Sequence, residues 1–291
     1  MRNNLPWCSK FTVKSMMSLN RFLRTITTAI LLTATHSCFA FNHQHAEWEI
    51  LLKRYVVVAQ NGHSSLVDYA GLRQTPGALN AYLDSLSAVT DVECRRWTRE
   101  ERLAFLINAY NAFTVKLVLS GDPDLKSIKD LGSFLKSPWK KTFFTLLGAA
   151  RSLDDVEHGL IRAPGVFDDP RIHFAVNCAS IGCPMLRNEA YVAERLDAQL
   201  DDSARRFIGD RTRNRYDVAS GLWSVSKIFD WYKSDFEKGY RGINSVQQFL
   251  SGYAHLLPEG VATDVALRQA QTSLRYLDYD WTLNALRSGE H

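Results

Sequence analysis

Apolar residues recur at helical spacing over residues 46–60, 77–88, 99–120, 188–208, 227–235 and 244–256, which predicts a helix in each segment. Strand-like runs fall at 142–147, 171–177, 215–218, 222–225 and 275–281. The third and fourth runs flank Ala219-Ser220-Gly221 and predict a hairpin. The 99–120 segment is apolar nearly all round, the mark of a buried helix. It opens on Thr98-Arg99-Glu100-Glu101, a capping box, and stops at Gly121-Asp122-Pro123. Helical residues outnumber strand residues, and the elements do not alternate as βαβ units would. The expected class is therefore α+β: one mostly helical domain, with a long buried central helix on a small, largely antiparallel sheet.

The first forty residues follow another pattern. Arg21 and Arg24 precede a short apolar stretch over 25–34, and Ser37-Cys38-Phe39-Ala40 puts small residues at the −3 and −1 positions. This is the layout of a secretory signal peptide, with cleavage after Ala40 and a true start at Met16 or Met17. The apolar stretch is about half of the roughly 20 residues a membrane span needs. The competing readings are an uncleaved amphipathic anchor and, more weakly, a lipoprotein through Cys38. Residues 41–291 then form one globular domain, periplasmic or secreted, without an integral span. The leader also explains the charge. It holds five of the 35 basic residues and no acidic one, so 30 basic face 31 acidic residues in the remainder, net −1. That balance gives no electrostatic case for nucleic acid as a partner.

Cleavage leaves Cys94, Cys178 and Cys183, too few for a disulfide scaffold, so stability must come from a hydrophobic core. Candidate chemistry gathers in three places. On the central helix, Asn108 and Asn111 share one face, where they would either clamp a neighbouring loop or orient a ligand. In Ser152-Leu153-Asp154-Asp155-Val156-Glu157-His158, a helical wheel turns Glu157 into the apolar arc and His158 out of it. A buried Glu157 needs a partner, and His173 and Arg162 are the candidates. The third place is the 171–177 run. Read as a strand, it points His173 and Asn177 to one side, then enters a loop with Cys178, Ser180 and Cys183.

That loop supports three readings: a Cys178–Cys183 disulfide, a nucleophilic Cys178 thiolate with His173 or His158 as base and Glu157 orienting it, or a metal site. No cofactor is predicted. If there is a metal, the ligands His158, His173, Cys178 and Cys183 suit zinc. The basic-aromatic run 136–144 reads as a loop entering a hairpin rather than as a membrane patch.

With these segments in view, the chain resembles the family catalogued as domain of unknown function 547, found in bacteria and plants. The resemblance rests on Leu106 to Ala112 (LINAYNA), on Ser152 to His158, and on Asp169-Pro170-Arg171 through Cys183-Pro184. Further matches are 196–200 with 204–207, 226–232 and 276–281. It implies no activity. Some plant and fungal members resemble fusions to glutaredoxin-like modules, which leans toward thiol chemistry. A long helix followed by a histidine-bearing strand also resembles papain-like and transglutaminase-like topology. Here the helix carries asparagines where those enzymes carry the nucleophilic cysteine.

The leading functional expectation is a thiol-dependent hydrolase or transferase for a small or peptide-like substrate. Its catalytic residues would be Cys178, His173, Glu157 and His158, with Asn108, Asn111, Arg162, Asn177, Ser180 and Cys183 binding substrate. The alternative is a non-catalytic module that binds a cell-envelope protein and carries a structural disulfide or zinc. Whichever holds, the leader reading expects intact-mass measurement on envelope-fraction protein to give a chain starting at Phe41. A chain retaining Met1 or Met17 would overturn it.

Overall fold

The computed structural model describes residues 40–133, 136–268 and 271–287, so the expected leader, Ala40 apart, lies outside the described residues. Helix α1 (Ala46–Tyr55) runs straight into strand β1 (Val56–Val58), which pairs antiparallel with β2 (Ser65–Val67). The helix expected over 46–60 is thus cut short at Tyr55. Three consecutive valines are stiff at χ1 and favour an extended chain. Helix α2 (Pro76–Ala88) starts with proline in its first turn, where no backbone donor is lost.

Helix α3 (Arg99–Leu119) is the central element. Both halves of the Thr98–Glu101 capping box form, and every residue from Leu103 to Val115 is buried. Its composition and length would suit a bilayer, but 83% of its most apolar 18-residue stretch is buried inside the protein and it is a core helix. Strands β3 (Phe144–Leu146) and β4 (Ala149–Arg151) form a hairpin, and Phe144 stacks on Phe113 of α3 at 3.8 Å.

Helix α4 spans Leu196–Gly209. The expected 188–208 helix therefore starts late, because the main chain at 190–192 is bonded elsewhere. Asn108 exchanges two hydrogen bonds with the backbone of Tyr191, and Gln199 binds Ala190 O and Val192 N. Strands β5 (Arg215–Asp217) and β6 (Leu222–Val225) make the expected antiparallel hairpin. Helices α5 (Val246–Gly252) and α6 (Glu259–Arg268) follow, the latter not anticipated. Strand β7 (Ser273–Tyr276) joins β6 in parallel, so the strand expected over 275–281 ends early. The class is α+β, with the strands among the described residues shared by three small sheets rather than one.

The clearest departure is at 171–177. This run is no strand: Pro170–Phe174 is a tight 3₁₀ turn. Asp169 caps it by accepting from Arg171 N, and Pro170 supplies the helical φ at its first position. Residues 170–177 are all buried, so their alternation distinguishes no face. Ile172 belongs to the core cluster around α3, and Phe174 to a second, aromatic cluster with Phe207, Phe229 and Phe249. His173 is held between the two.

The segment is tied to α3 by Asn111. Its Nδ2 donates to Ala175 O at 2.9 Å and its Oδ1 accepts from Asn177 N at 2.8 Å, all buried. Asn111→Ala strands one donor and one acceptor, so chemical denaturation is expected to show a loss of about 2–4 kcal/mol. A loss below about 0.5 kcal/mol would show that the clamp contributes nothing.

Candidate active site

The chain turns sharply after Asn177. Its carboxamide donates to Pro184 O at 2.7 Å and accepts from Ala179 N at 2.9 Å, closing the loop across its own base. Ala179 takes a left-handed conformation, φ 59°. Gly182 then lies flat against residues 279–280. A Cβ there would meet the backbone O and N of Asp280 at 2.9 and 3.0 Å, so only glycine allows the contact. Gly182 N donates to Asp280 O and Ile181 N to Thr282 O, both at 2.8 Å. This pairing delivers Tyr279 to the cysteines.

Cys178 is half-buried, with three polar groups around its sulfur. Cys183 Sγ lies at 2.6 Å, Tyr279 Oη at 3.1 Å and Ser180 Oγ at 3.2 Å. Both cysteines are free thiols in the structure. Burial pushes both thiols up. For Cys178, hydrogen bonds from Cys183, Ser180 and Tyr279 more than offset it and leave the thiol below its ordinary value. Cys183 stays well above, through burial and its neighbour's charge.

His173 is sealed, its side chain 1% exposed, and its ring stacks on Tyr232 at 3.9 Å. Nε2 lies 2.8 Å from Asp235 Oδ2. A carboxylate partner assigns the proton to Nε2 and leaves the Nδ1 lone pair free. Nδ1 has no hydrogen-bond partner among the described residues. Burial lowers the histidine's pKa despite the carboxylate. Asp235 also accepts from Arg162 Nε at 2.6 Å and faces Lys238 Nζ at 3.0 Å. These three donors outweigh burial and hold its carboxyl far below the usual range.

Glu157 opens a π-helical turn, Glu157–Ile161, and is buried as the wheel expected, 6% exposed. Its partner is not the expected one. His173 and Arg162 are both committed to Asp235, and Glu157 Oε1 instead accepts from Tyr232 Oη at 2.6 Å. His158 points outward, 43% exposed, near Asp154 and Arg162.

Glu157, His158, His173, Cys178 and Cys183 line one cleft of about 240 Å³, together with Tyr232, Tyr279 and three tryptophans. Asn108, Asn111, Arg162, Asn177 and Ser180, expected to bind substrate, are not in its lining. The first two and Asn177 are spent on main-chain groups, Arg162 on Asp235, and Ser180 on the thiol. The four zinc ligands do not converge: among the described residues, no three His, Cys, Asp or Glu side chains could hold a metal ion. His173 and Cys178 share the cleft without a hydrogen bond between them.

Residues 94–208 match the family described as protein of unknown function, DUF547. Over that segment the chain is similar to this family. The matched segment holds Glu157, His158, His173, Cys178 and Cys183, while Tyr232, Asp235 and Tyr279 come from beyond it. No curated protein and no solved structure matches the chain.

Sequence reasoning missed Tyr279, which lines the cleft, and Asp235, which holds the cleft histidine. Tyr279 stood within a recognised motif, 276–281, but nothing in that motif points it at a thiol 101 residues away.

The pH dependence follows from the two depressed groups. Both hold a proton less readily folded than unfolded, so folding stability falls as pH drops through about 6.5 for His173 and then through about 4 for Asp235. Asp235→Ala is expected to cost about 2–3 kcal/mol at pH 7.5, since it strands the buried His173 and leaves the partly exposed Arg162 and Lys238 without their carboxylate, and less below pH 4. Equal stability of variant and parent in denaturant at pH 7.5 would overturn this.

Proposed function

We propose that this protein is an exported, thiol-dependent hydrolase or transferase acting on a small or peptide-like substrate. The observation that carries the reading is the convergence of Cys183, Ser180 and Tyr279 on the Cys178 sulfur, in a cleft shared with a histidine whose Nδ1 is unpaired. Three donors favour the thiolate without help from an imidazole. Cys178 then attacks the substrate's acyl carbon, and the leaving group departs as a thioester forms. His173 Nδ1, free of the sulfur, takes a proton from the incoming water or acceptor as its oxygen or nitrogen displaces the thiolate. Asp235 holds the imidazole in the tautomer that this step needs. Glu157, bonded to Tyr232, would orient substrate.

The contact between the two sulfurs favours one competing reading. Oxidation would bridge them, mask the nucleophile and leave a binding module for an envelope partner. Alkylation separates the two. Cys178 should react with iodoacetamide at about pH 6–7, well ahead of Cys94, whose thiol burial pushes up to about 11. Tyr279→Phe removes one donor, about 1 kcal/mol, and should slow the reaction roughly fivefold. No labelling of Cys178 until reductant is added would favour the binding module instead.

A further inference from the structure

Two buried carboxylates sit near this cleft with opposite surroundings. Asp235 holds Arg162, Lys238 and His173. Glu157 lines the cleft, yet its one polar contact among the described residues is the Tyr232 hydroxyl, and it forms no ion pair. A carboxylate withdrawn from water with a single hydrogen bond is under-compensated. The rest of the lining does not compensate it. Asp154 adds a second carboxylate, its side chain 34% exposed beside His158, and no Lys or Arg is present.

The other feature is an aromatic wall. Trp139 meets Trp281 at 5.7 Å, Trp281 meets Tyr279 at 4.6 Å, and Trp231 touches both at 4.8 and 5.7 Å. Trp231 is 45% exposed, so its ring edges the mouth. Indole faces attract cations, and the Lys129 ammonium already lies 4.6 Å from the Trp281 centroid. Carboxylates and tryptophans lining one cleft, with no Lys or Arg among them and with His173 already bonded to Asp235 and His158 beside Asp154, form a receptor for positive charge.

We infer that the cleft takes a cationic substrate, whose aliphatic ammonium group is seated between Glu157 and the tryptophan wall while its acyl carbon reaches Cys178. The chemistry at Cys178 rests on the thiol-dependent reading; the recognition of the ammonium does not. Glu157 supplies the ion pair and the indoles the cation–π contact, and the Glu157 charge also reaches the Cys178 sulfur.

The probes are n-butylammonium, 1-butanol, butanoate and methyl β-glucoside, titrated into the mature full-length chain and followed by tryptophan fluorescence. The ammonium should bind at least tenfold more tightly than the isosteric alcohol, and butanoate not at all. Glu157→Gln should abolish most of that preference. Trp231→Leu, at an exposed position that leaves the core intact, should weaken ammonium binding several-fold. Alcohol or glucoside binding as tight as the ammonium, or a preference unchanged in both variants, overturns the inference.

Thiol modification separates the two readings. A trimethylammonioethyl methanethiosulfonate forms a mixed disulfide with the Cys178 thiolate and releases methanesulfinate. It should react at least tenfold faster than its sulfonatoethyl counterpart, with the ratio reduced in Glu157→Gln. Fast reaction with neutral reagent but no ammonium preference sinks the substrate class and spares the thiol chemistry. Ammonium binding with an inert Cys178 does the reverse.

Discussion

A carboxamide sealed inside a protein must find partners among the groups that touch it, and Asn111 finds them only in the main chain of residues 175–177. That pair of bonds fixes where the 175–177 segment lies against α3, and therefore where it turns. Asn177 repeats the device one step on, using both ends of its own amide to pin Ala179 and Pro184. Cys178 is left at the apex with almost no freedom. Ala179 is held left-handed between two of these anchors, its N–H on Asn177 and its carbonyl on Asn284 N. A non-glycine residue keeps that conformation, at a cost of roughly 1–2 kcal/mol, only where the surroundings over-determine it. The position of the thiol is thus a consequence of amide satisfaction inside the core, several bonds away from any chemistry.

The same logic distributes charge around the cleft. Arg162 shares Asp235 Oδ2 with His173 and Lys238 takes Oδ1, so both carboxylate oxygens are engaged and the imidazole is held in place. Stacking on Tyr232 fixes the ring plane. Tyr232 in turn spends its hydroxyl on Glu157, so one residue orients the base and holds the unpaired acid. Loss of Tyr232 would free both. The π turn at Glu157–Ile161 shifts the register of the following residues, and the Arg162 side chain at its end bonds Asp235 rather than Glu157.

Much of the scaffold was legible because its signals are local. Thr98-Arg99-Glu100-Glu101 and the apolar run behind it need no tertiary information to specify α3, and the β5–β6 hairpin is written in its turn. The burial of Glu157 also follows from short-range periodicity. Its partner does not: Tyr232 lies 75 residues away, and the π turn is invisible to a wheel drawn at 100° per residue. The 171–177 run misleads for a different reason. Alternation signals a strand only when one side meets solvent, and here two core clusters enclose the segment from both sides. The family motifs at 226–232 and 276–281 held Tyr232 and Tyr279, but a motif without a contact map gives residue types and no geometry.

Under the thiol chemistry proposed above, the arrangement separates two jobs that many cysteine sites give to one histidine. Where an imidazole both deprotonates the thiol and later activates the second nucleophile, thiol and ring must lie within hydrogen-bond reach from the start. Here the sulfur is served by a hydroxyl from its own loop, a phenol from the C-terminal segment and a neighbouring thiol whose own pKa is high enough to keep its proton. That last donor is also the weak point. Cys183 can stabilise the thiolate only while reduced, and the 2.6 Å contact that makes it a donor makes it the nearest oxidation partner as well. Replacing Cys183 with serine would keep a donor beside the thiolate and remove the partner, whereas the Tyr279 and Ser180 hydroxyls cannot bridge to the sulfur. The identity of residue 183, rather than that of the nucleophile, therefore sets how far this cleft responds to the redox state of its compartment.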